Sequence, residues 1–252
     1  MINVAVSGAM GRLGSTISSG VAAADDMRLS GLYDPAHAGK SFANLSVSGE
    51  PEKLSAQVIV ECTHPGVVMD NLKTWHTKGF SVIVGTSGFT QSRLAELRSF
   101  WGSQDQGCLV VPNFSIGAVL MMRFAELASI HFDSVEIIER HENRKPDAPS
   151  GTALATALRI SRHRNDSVEP SDHEIIEGVR GGLASGIRVH SLRMAGLLSD
   201  QEVAFSNGGE TFSLLHRSTS YESFVNGALL AIRQVQKTKG VSVGLDAFLG
   251  IQ

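Results

Sequence analysis

The sequence predicts an α/β protein built from a parallel-sheet domain and an α+β domain, and three observations lead there. Upstream, the apolar β-branched runs Val4-Ala5-Val6, Val58-Ile59-Val60, Ser81-Val82-Ile83-Val84 and Leu109-Val110-Val111 alternate with helical stretches such as 66–78, the order of a parallel sheet. Downstream, the runs from Ile187 to Leu192, Glu202 to Phe205 and Thr211 to Leu215 are short, partly alternating and bounded by turns such as Asn207-Gly208-Gly209, which predicts an open mixed or antiparallel sheet with helices on one face. With 252 residues and 42% hydrophobic composition, there is enough apolar material for one or two cores.

Composition narrows the partners. A formal net charge of −3 without a basic block argues against a nucleic-acid surface and leaves small anionic metabolites compatible. No run approaches the ~20 apolar residues of a membrane span. The opening Met1-Ile2-Asn3-Val4 lacks the charged start of a signal peptide, so a cytoplasmic protein is expected. Cys62 and Cys108 are too few for a disulfide framework and have no metal-ligand spacing; both border apolar runs, so small core residues and no metal are expected.

The first strand runs directly into Gly8-Ala9-Met10-Gly11-Arg12-Leu13-Gly14. Glycines at this spacing allow a tight turn and close approach of backbone to phosphate, with the next helix turning its N-terminus to the pyrophosphate, as in a Rossmann-type dinucleotide site. Asp34 ends the run Leu29-Ser30-Gly31-Leu32-Tyr33, about twenty residues after the last glycine, where a carboxylate can bond the ribose hydroxyls of NAD. That carboxylate would repel the extra phosphate of NADP, so NADH is favoured; Arg12 and Lys40 keep NADPH possible.

Ligands of a parallel sheet bind beyond the carboxyl ends of its strands, so the residues just past each strand are informative. Here Glu61-Cys62-Thr63-His64-Pro65 and Gly85-Thr86-Ser87-Gly88-Phe89 are small and hydroxyl-bearing, suited to the nicotinamide and its ribose. Pro112-Asn113-Phe114-Ser115-Ile116-Gly117 comes after the last of these strands and marks the domain boundary.

The polar stretch 139–153 lies between the strand-like Val135, Ile137 and Ile138 and an Ala/Leu-rich helix running to about Arg162. Pro146 and Pro149 stiffen the loop. Ser150-Gly151-Thr152 falls where the helix begins, so backbone N–H groups and the positive end of the helix dipole can face a carboxylate or phosphate. Lys145 adds a full charge, and His141 is the side chain most easily tuned for proton transfer near neutral pH.

From His141 to Ala153 the pattern His-x-x-x-Lys-x-Asp-Ala-Pro-Ser-Gly-Thr-Ala resembles the signature of the dihydrodipicolinate reductase family, and the likeness extends over essentially the whole chain. The resemblance implies NAD(P)H-dependent reduction of dihydrodipicolinate (4-hydroxy-tetrahydrodipicolinate), a small cyclic dicarboxylate, to tetrahydrodipicolinate in diaminopimelate and lysine biosynthesis. It implies His141 as proton donor, with Lys145, Gly151 and Thr152 on a substrate carboxylate. It places the cofactor against Gly8 to Leu13, Asp34, Thr63, Gly85, Thr86, Ser87, Pro112, Asn113 and Phe114. The C-terminal segment is then expected to rejoin the first domain, giving a dinucleotide-binding domain of 1–112 plus 222–252 and a substrate-binding and oligomerisation domain of 113–221, assembled as a homotetramer.

Between about 163 and 186 the composition is polar and glycine-rich, with Gly178, Gly181, Gly182 and Gly186, and a mobile loop is expected. Two positions depart from the family pattern: Glu142 comes after His141 where a second histidine is typical, and Tyr221 stands in a region where arginine is common. Both remove potential positive charge. In an extended segment Glu142 is expected to face away from His141 or to pair with Arg144. The exchanges keep two alternatives open, a reductase of another amino-acid-derived imine and a non-catalytic nucleotide-binding regulator.

Overall fold

The computed structural model describes residues 1–164 and 173–251. In chain order the first unit contains β1 (Ile2–Ser7), α1 (Arg12–Ala23), β2 (Met27–Tyr33), β3 (Ser41–Phe42), β4 (Leu45–Ser48), β5 (Val58–Glu61), α2 (Val68–Thr77), β6 (Ser81–Val84), α3 (Gln91–Phe100) and β7 (Cys108–Val110). Next come α4 (Ile116–Ala128), β8 (Ser134–His141), α5 (Gly151–Ser161), β9 (Gly182–Ala184), β10 (Ile187–Arg193), β11 (Ser199–Asn207) and β12 (Glu210–Ser218). Finally α6 (Val225–Val235) and β13 (Val241–Val243) return to the first unit. The two compact units are 1–116 with 221–252, and 117–220.

The first unit is an eight-stranded sheet in the order β13-β7-β6-β5-β1-β2-β4-β3, parallel throughout except for the β3–β4 hairpin at its edge. The short β3 and β4 have no clear apolar run and are not among the strands expected from the sequence. Central strands are apolar on both faces because helices cover both, and every residue of β5 and β6 is buried. Trp75, Leu72 and Leu97 pack against Ile59, Val82 and Val110 with no solvent exposure beyond 2%. Each such side chain contributes about 1.5–3 kcal/mol on leaving water. Cys108 lies in this core and Cys62 is only partly covered; burial pushes both thiols up, out of reach of ionisation near neutral pH.

The second unit is a five-stranded mixed sheet in the order β12-β11-β8-β10-β9. β8 and β10 run parallel, placing His141 beside Arg193, and the other pairings are antiparallel. α5 packs over β8, β9 and β10, and Gln201 Nε2 donates to Thr156 Oγ1 at 2.7 Å to join β11 to the same helix.

Several elements differ from expectation. α4 starts at Ile116, inside the stretch expected to mark the domain boundary, because its apolar face already begins with Ala118 and Val119. The last helix begins at Val225; Tyr221–Phe224 before it is a 3-10 turn in which Phe224 packs edge-on to Tyr221. The glycine-rich connection is not loop throughout. Gly182–Ala184 pairs with β10 as a hairpin strand, while positive φ at Gly181, Ser185 and Gly186 makes its turns. The part of that connection at 165–172 lies outside the described residues.

Candidate active site

Five loops at the carboxyl ends of the parallel strands carry the first set of candidate residues. Gly8 adopts φ 73°, and a Cβ there would sit 2.7 Å from the Cys62 carbonyl oxygen, so only glycine fits. Gly14 does a different job: its missing side chain lets α1 pack on the loop, where a Cβ would lie 2.1 Å from the Gly8 carbonyl oxygen. Gly11 caps α1 without a side-chain bond, and the first turn holds no acidic residue, so the positive helix end faces outward past Gly11 and Arg12. Met10 and Leu13 are half-buried and Ala9 fully buried, which ties this loop down.

Asp34 is brought to the same loop. Its Oδ2 accepts from Met10 N–H at 3.2 Å and its Oδ1 contacts His37 Nδ1 at 2.9 Å, leaving lone pairs on both oxygens. The next loops are joined through Glu61, fully buried at the end of β5, which accepts from Thr63 N–H at 3.0 Å, Trp75 Nε1 at 2.9 Å, Asn71 Nδ2 at 3.2 Å and the Thr63 hydroxyl. Thr86 Oγ1 donates to the Thr63 carbonyl at 3.2 Å, and Gly85 N–H to the Glu61 carbonyl at 2.9 Å. Ser87 and Pro112 are exposed, Asn113 Oδ1 accepts from Ser115 N–H at 2.8 Å, and Phe114 is buried against Gly85. The residues fit a pyridine nucleotide: a close glycine turn, an open helix N-terminus and a buried carboxylate in one row. Arg12 lies 5.7 Å from the ring centre of Tyr221, so a guanidinium stands over this tyrosine.

The second set belongs to the other unit and is built on β8. A strand's period of two puts Glu139 and His141 on one face, the face that α5 covers. His141 Nδ1 lies 2.5 Å from Glu139 Oε2. Arg193 grips the same carboxylate with both terminal nitrogens, at 3.0 and 2.8 Å, and also donates to the Asp147 carbonyl at 2.7 Å. Ser150 N–H donates to Glu139 Oε1 at 3.3 Å. Burial pushes the Glu139 carboxyl up, but hydrogen bonds from His141, Arg193 and Ser191 outweigh it and hold the group down at about 2.

Ser150 caps α5 by accepting from Ala153 N–H at 3.2 Å, and Gly151 and Thr152 open the helix with no acidic neighbour in its first turn. A Cβ at Gly151 would meet nothing within 4 Å, so the approach to this helix end is open. Lys145 Nζ rests on both oxygens of Asp147, at 2.7 and 2.8 Å, and this pairing lowers the Asp147 carboxyl. Glu142 accepts from Arg144 at 3.4 Å. His141, Lys145 and the α5 N-terminus therefore form one cluster around a single loop.

Glu139 and Arg193 were not among the residues singled out from the sequence. Glu139 was detectable, since a carboxylate two residues before a histidine in a strand shares its face. Arg193 was not: it lies 52 positions beyond His141 and reaches it only through the β8–β10 register.

Family models described as dihydrodipicolinate reductase, N-terminus, and dihydrodipicolinate reductase, C-terminus, match residues 2–114 and 117–249. The chain belongs to the dihydrodipicolinate reductase family. It is thus an NAD(P)H-dependent oxidoreductase. It is 44% identical over 256 residues to 4-hydroxy-tetrahydrodipicolinate reductase of Nocardia farcinica, covering 99% of both chains. It is 42% identical over 255 residues to that of Mycolicibacterium vanbaalenii, covering 100% of both. Among solved structures, dipicolinate-bound dihydrodipicolinate reductase from Paenisporosarcina sp. TG-14 superposes with a TM-score of 0.85 at 34% identity, covering 98% of this chain and 99% of that one. Among the described residues, no helix is long and apolar enough to cross a membrane.

Proposed function

We propose that His141 is the general acid in the reaction for which the family is named, the reduction of dihydrodipicolinate (4-hydroxy-tetrahydrodipicolinate) to tetrahydrodipicolinate in diaminopimelate and lysine biosynthesis. The observation that carries this reading is the arrangement of one histidine, one lysine and one open helix N-terminus around the loop 141–152. The pyridine nucleotide supplies the hydride. His141, held through Nδ1, gives its proton from Nε2 to the substrate carbon that gains charge as the hydride arrives. Lys145 and the N–H groups of Gly151 and Thr152, with the Thr152 hydroxyl, bind a substrate carboxylate, and Lys145 exchanges Asp147 for it.

In this reading 1–112 with 222–252 binds the nucleotide, and 113–221 binds substrate and forms the contacts of a cytoplasmic homotetramer. The cofactor contacts are Gly8, Ala9, Met10, Gly11, Arg12, Leu13, Asp34, Thr63, Gly85, Thr86, Ser87, Pro112, Asn113 and Phe114. Asp34, buried and with acceptor capacity remaining, favours the ribose hydroxyls of NADH over the phosphate of NADPH, and Arg12 and Lys40 soften that preference. The test is oxidation of NADH and NADPH by the purified protein with substrate freshly made by the preceding synthase, beside a His141→Gln variant. Turnover that falls by ~10²–10⁴ in the variant is expected. Unchanged turnover would remove His141 from the chemistry.

A further inference from the structure

We propose that Glu139, clamped by Arg193, is the positioning residue of this reductase: it fixes the tautomer and ring orientation of His141 and ties the proton donor to the carboxylate-binding loop. The inference rests on the reading of His141 as the acid and extends it to residues that do not touch the substrate.

Glu139 has no solvent exposure, and beside the bond from Ser191 on β10 its contacts reach the proton donor and the start of α5. One oxygen meets His141 Nδ1 and Arg193, the other meets Arg193 and the N–H of Ser150, the residue that caps α5. The nitrogen of His141 that meets Glu139 is Nδ1, and a carboxylate there is acceptor-only, so Nδ1 must carry hydrogen. The proton available for transfer is then on Nε2, and after it leaves, the neutral ring keeps Nδ1–H and stays in place. The carboxylate of a serine-protease triad acts on its histidine by the same logic.

Arg193 extends the effect. It stands opposite His141 in the parallel register, and Met194 N–H donates to the His141 carbonyl at 3.0 Å. Its guanidinium also holds the carbonyl of Asp147, whose side chain carries Lys145. One guanidinium thus fixes the distance between the proton donor and the carboxylate-binding loop, the orientation on which a rate depends.

The experiment is steady-state kinetics on the full-length enzyme with NADH and fresh substrate for wild type, Glu139→Gln, Glu139→Asp and His141→Gln, with ¹⁵N NMR of His141 in histidine-labelled wild type above pH 8. In Glu139→Gln, kcat is expected to fall ~10- to 100-fold, the scale of a misplaced catalytic group, while KM and NADH affinity change less than about threefold. Glu139→Asp, which keeps the charge, is expected to recover part of kcat. Neutral His141 in wild type is expected as the Nδ1–H tautomer. Wild-type kcat in Glu139→Gln, or an Nε2–H tautomer in wild type, would overturn the proposal. Should Glu139→Gln fail to fold, the wild-type tautomer decides alone. Wild-type kcat in His141→Gln would instead overturn the reading of His141 as the acid, while inactive His141→Gln beside fully active Glu139→Gln would sink only the positioning role.

Discussion

Strand β8 carries two clusters of the same composition. Glu139 accepts from His141 and Arg193, and three residues earlier Glu136 contacts His190 Nε2 at 2.7 Å and accepts from Arg180 at 2.7 Å. Three residues along a strand means opposite faces, and the faces differ. The Glu139 side chain is fully buried, whereas that of Glu136 is 36% exposed. Glu139 holds its histidine by Nδ1 and leaves Nε2 as the ring nitrogen away from the carboxylate. Glu136 holds His190 by Nε2, and the Nδ1 side of that ring lies against Gly181, where a Cβ would sit 2.9 Å away. A carboxylate, a histidine and an arginine are therefore not enough to make a site. In the proposed reading, desolvation, the choice of ring nitrogen and the helix end at Gly151 and Thr152 separate the proton donor His141 from the ion pair of Glu136.

That contrast can be broken most directly at the histidines. His141→Gln should lower kcat by ~10²–10⁴, whereas His190→Gln should leave kcat within about twofold of wild type, because its partner is a half-exposed carboxylate on the other face. Equal losses in the two variants would show that β8 works as one unit.

The carboxylates should separate next, in stability. The Glu139 carboxyl is held down at about 2 from an ordinary 4.5. A depressed folded value stabilises above the unfolded one, so the contribution is full above about pH 4.5 and disappears as pH falls towards about 2. It is worth roughly 3 kcal/mol. Denaturant titrations at pH 7 and pH 3 should show Glu139→Gln destabilised by about that amount at pH 7 and much less at pH 3. Similar losses at both pH values would place the effect in packing instead of charge.

Glu136→Gln should give the smallest change. Burial raises its carboxyl, hydrogen bonds from His190 and Arg180 then lower it, and its exposure screens the pair, so the loss should be about 1 kcal/mol or less with no change in kcat. A larger loss would mean that this face is covered in the assembled protein.

Much of the fold and of the site is legible in the sequence, for identifiable reasons. The parallel strands could be read because burial on both faces makes them uniformly apolar, as in β5 and β6. The glycine turn could be read because Gly8 and Gly14 meet backbone atoms that exclude a side chain. The edge hairpin β3–β4 and strand β9 were missed because short, half-exposed strands need no apolar run. The 3-10 turn before α6 has no sequence signal of its own, because Tyr221 and Phe224 have helical spacing and pair with each other.

By itself the sequence determined the class of fold, the glycine turn with Asp34 beyond it, and the loop carrying His141, Lys145, Gly151 and Thr152, because each depends on residues close together in the chain. Only the tertiary structure decided how the carboxylate behind His141 is clamped and buried. Arg193 reaches it through the parallel pairing of β8 with β10, Lys145 is held by Asp147, and the difference between Glu139 and Glu136 is one of burial. Hydrogen-bond geometry and desolvation are properties of the packed chain, and no spacing rule encodes them.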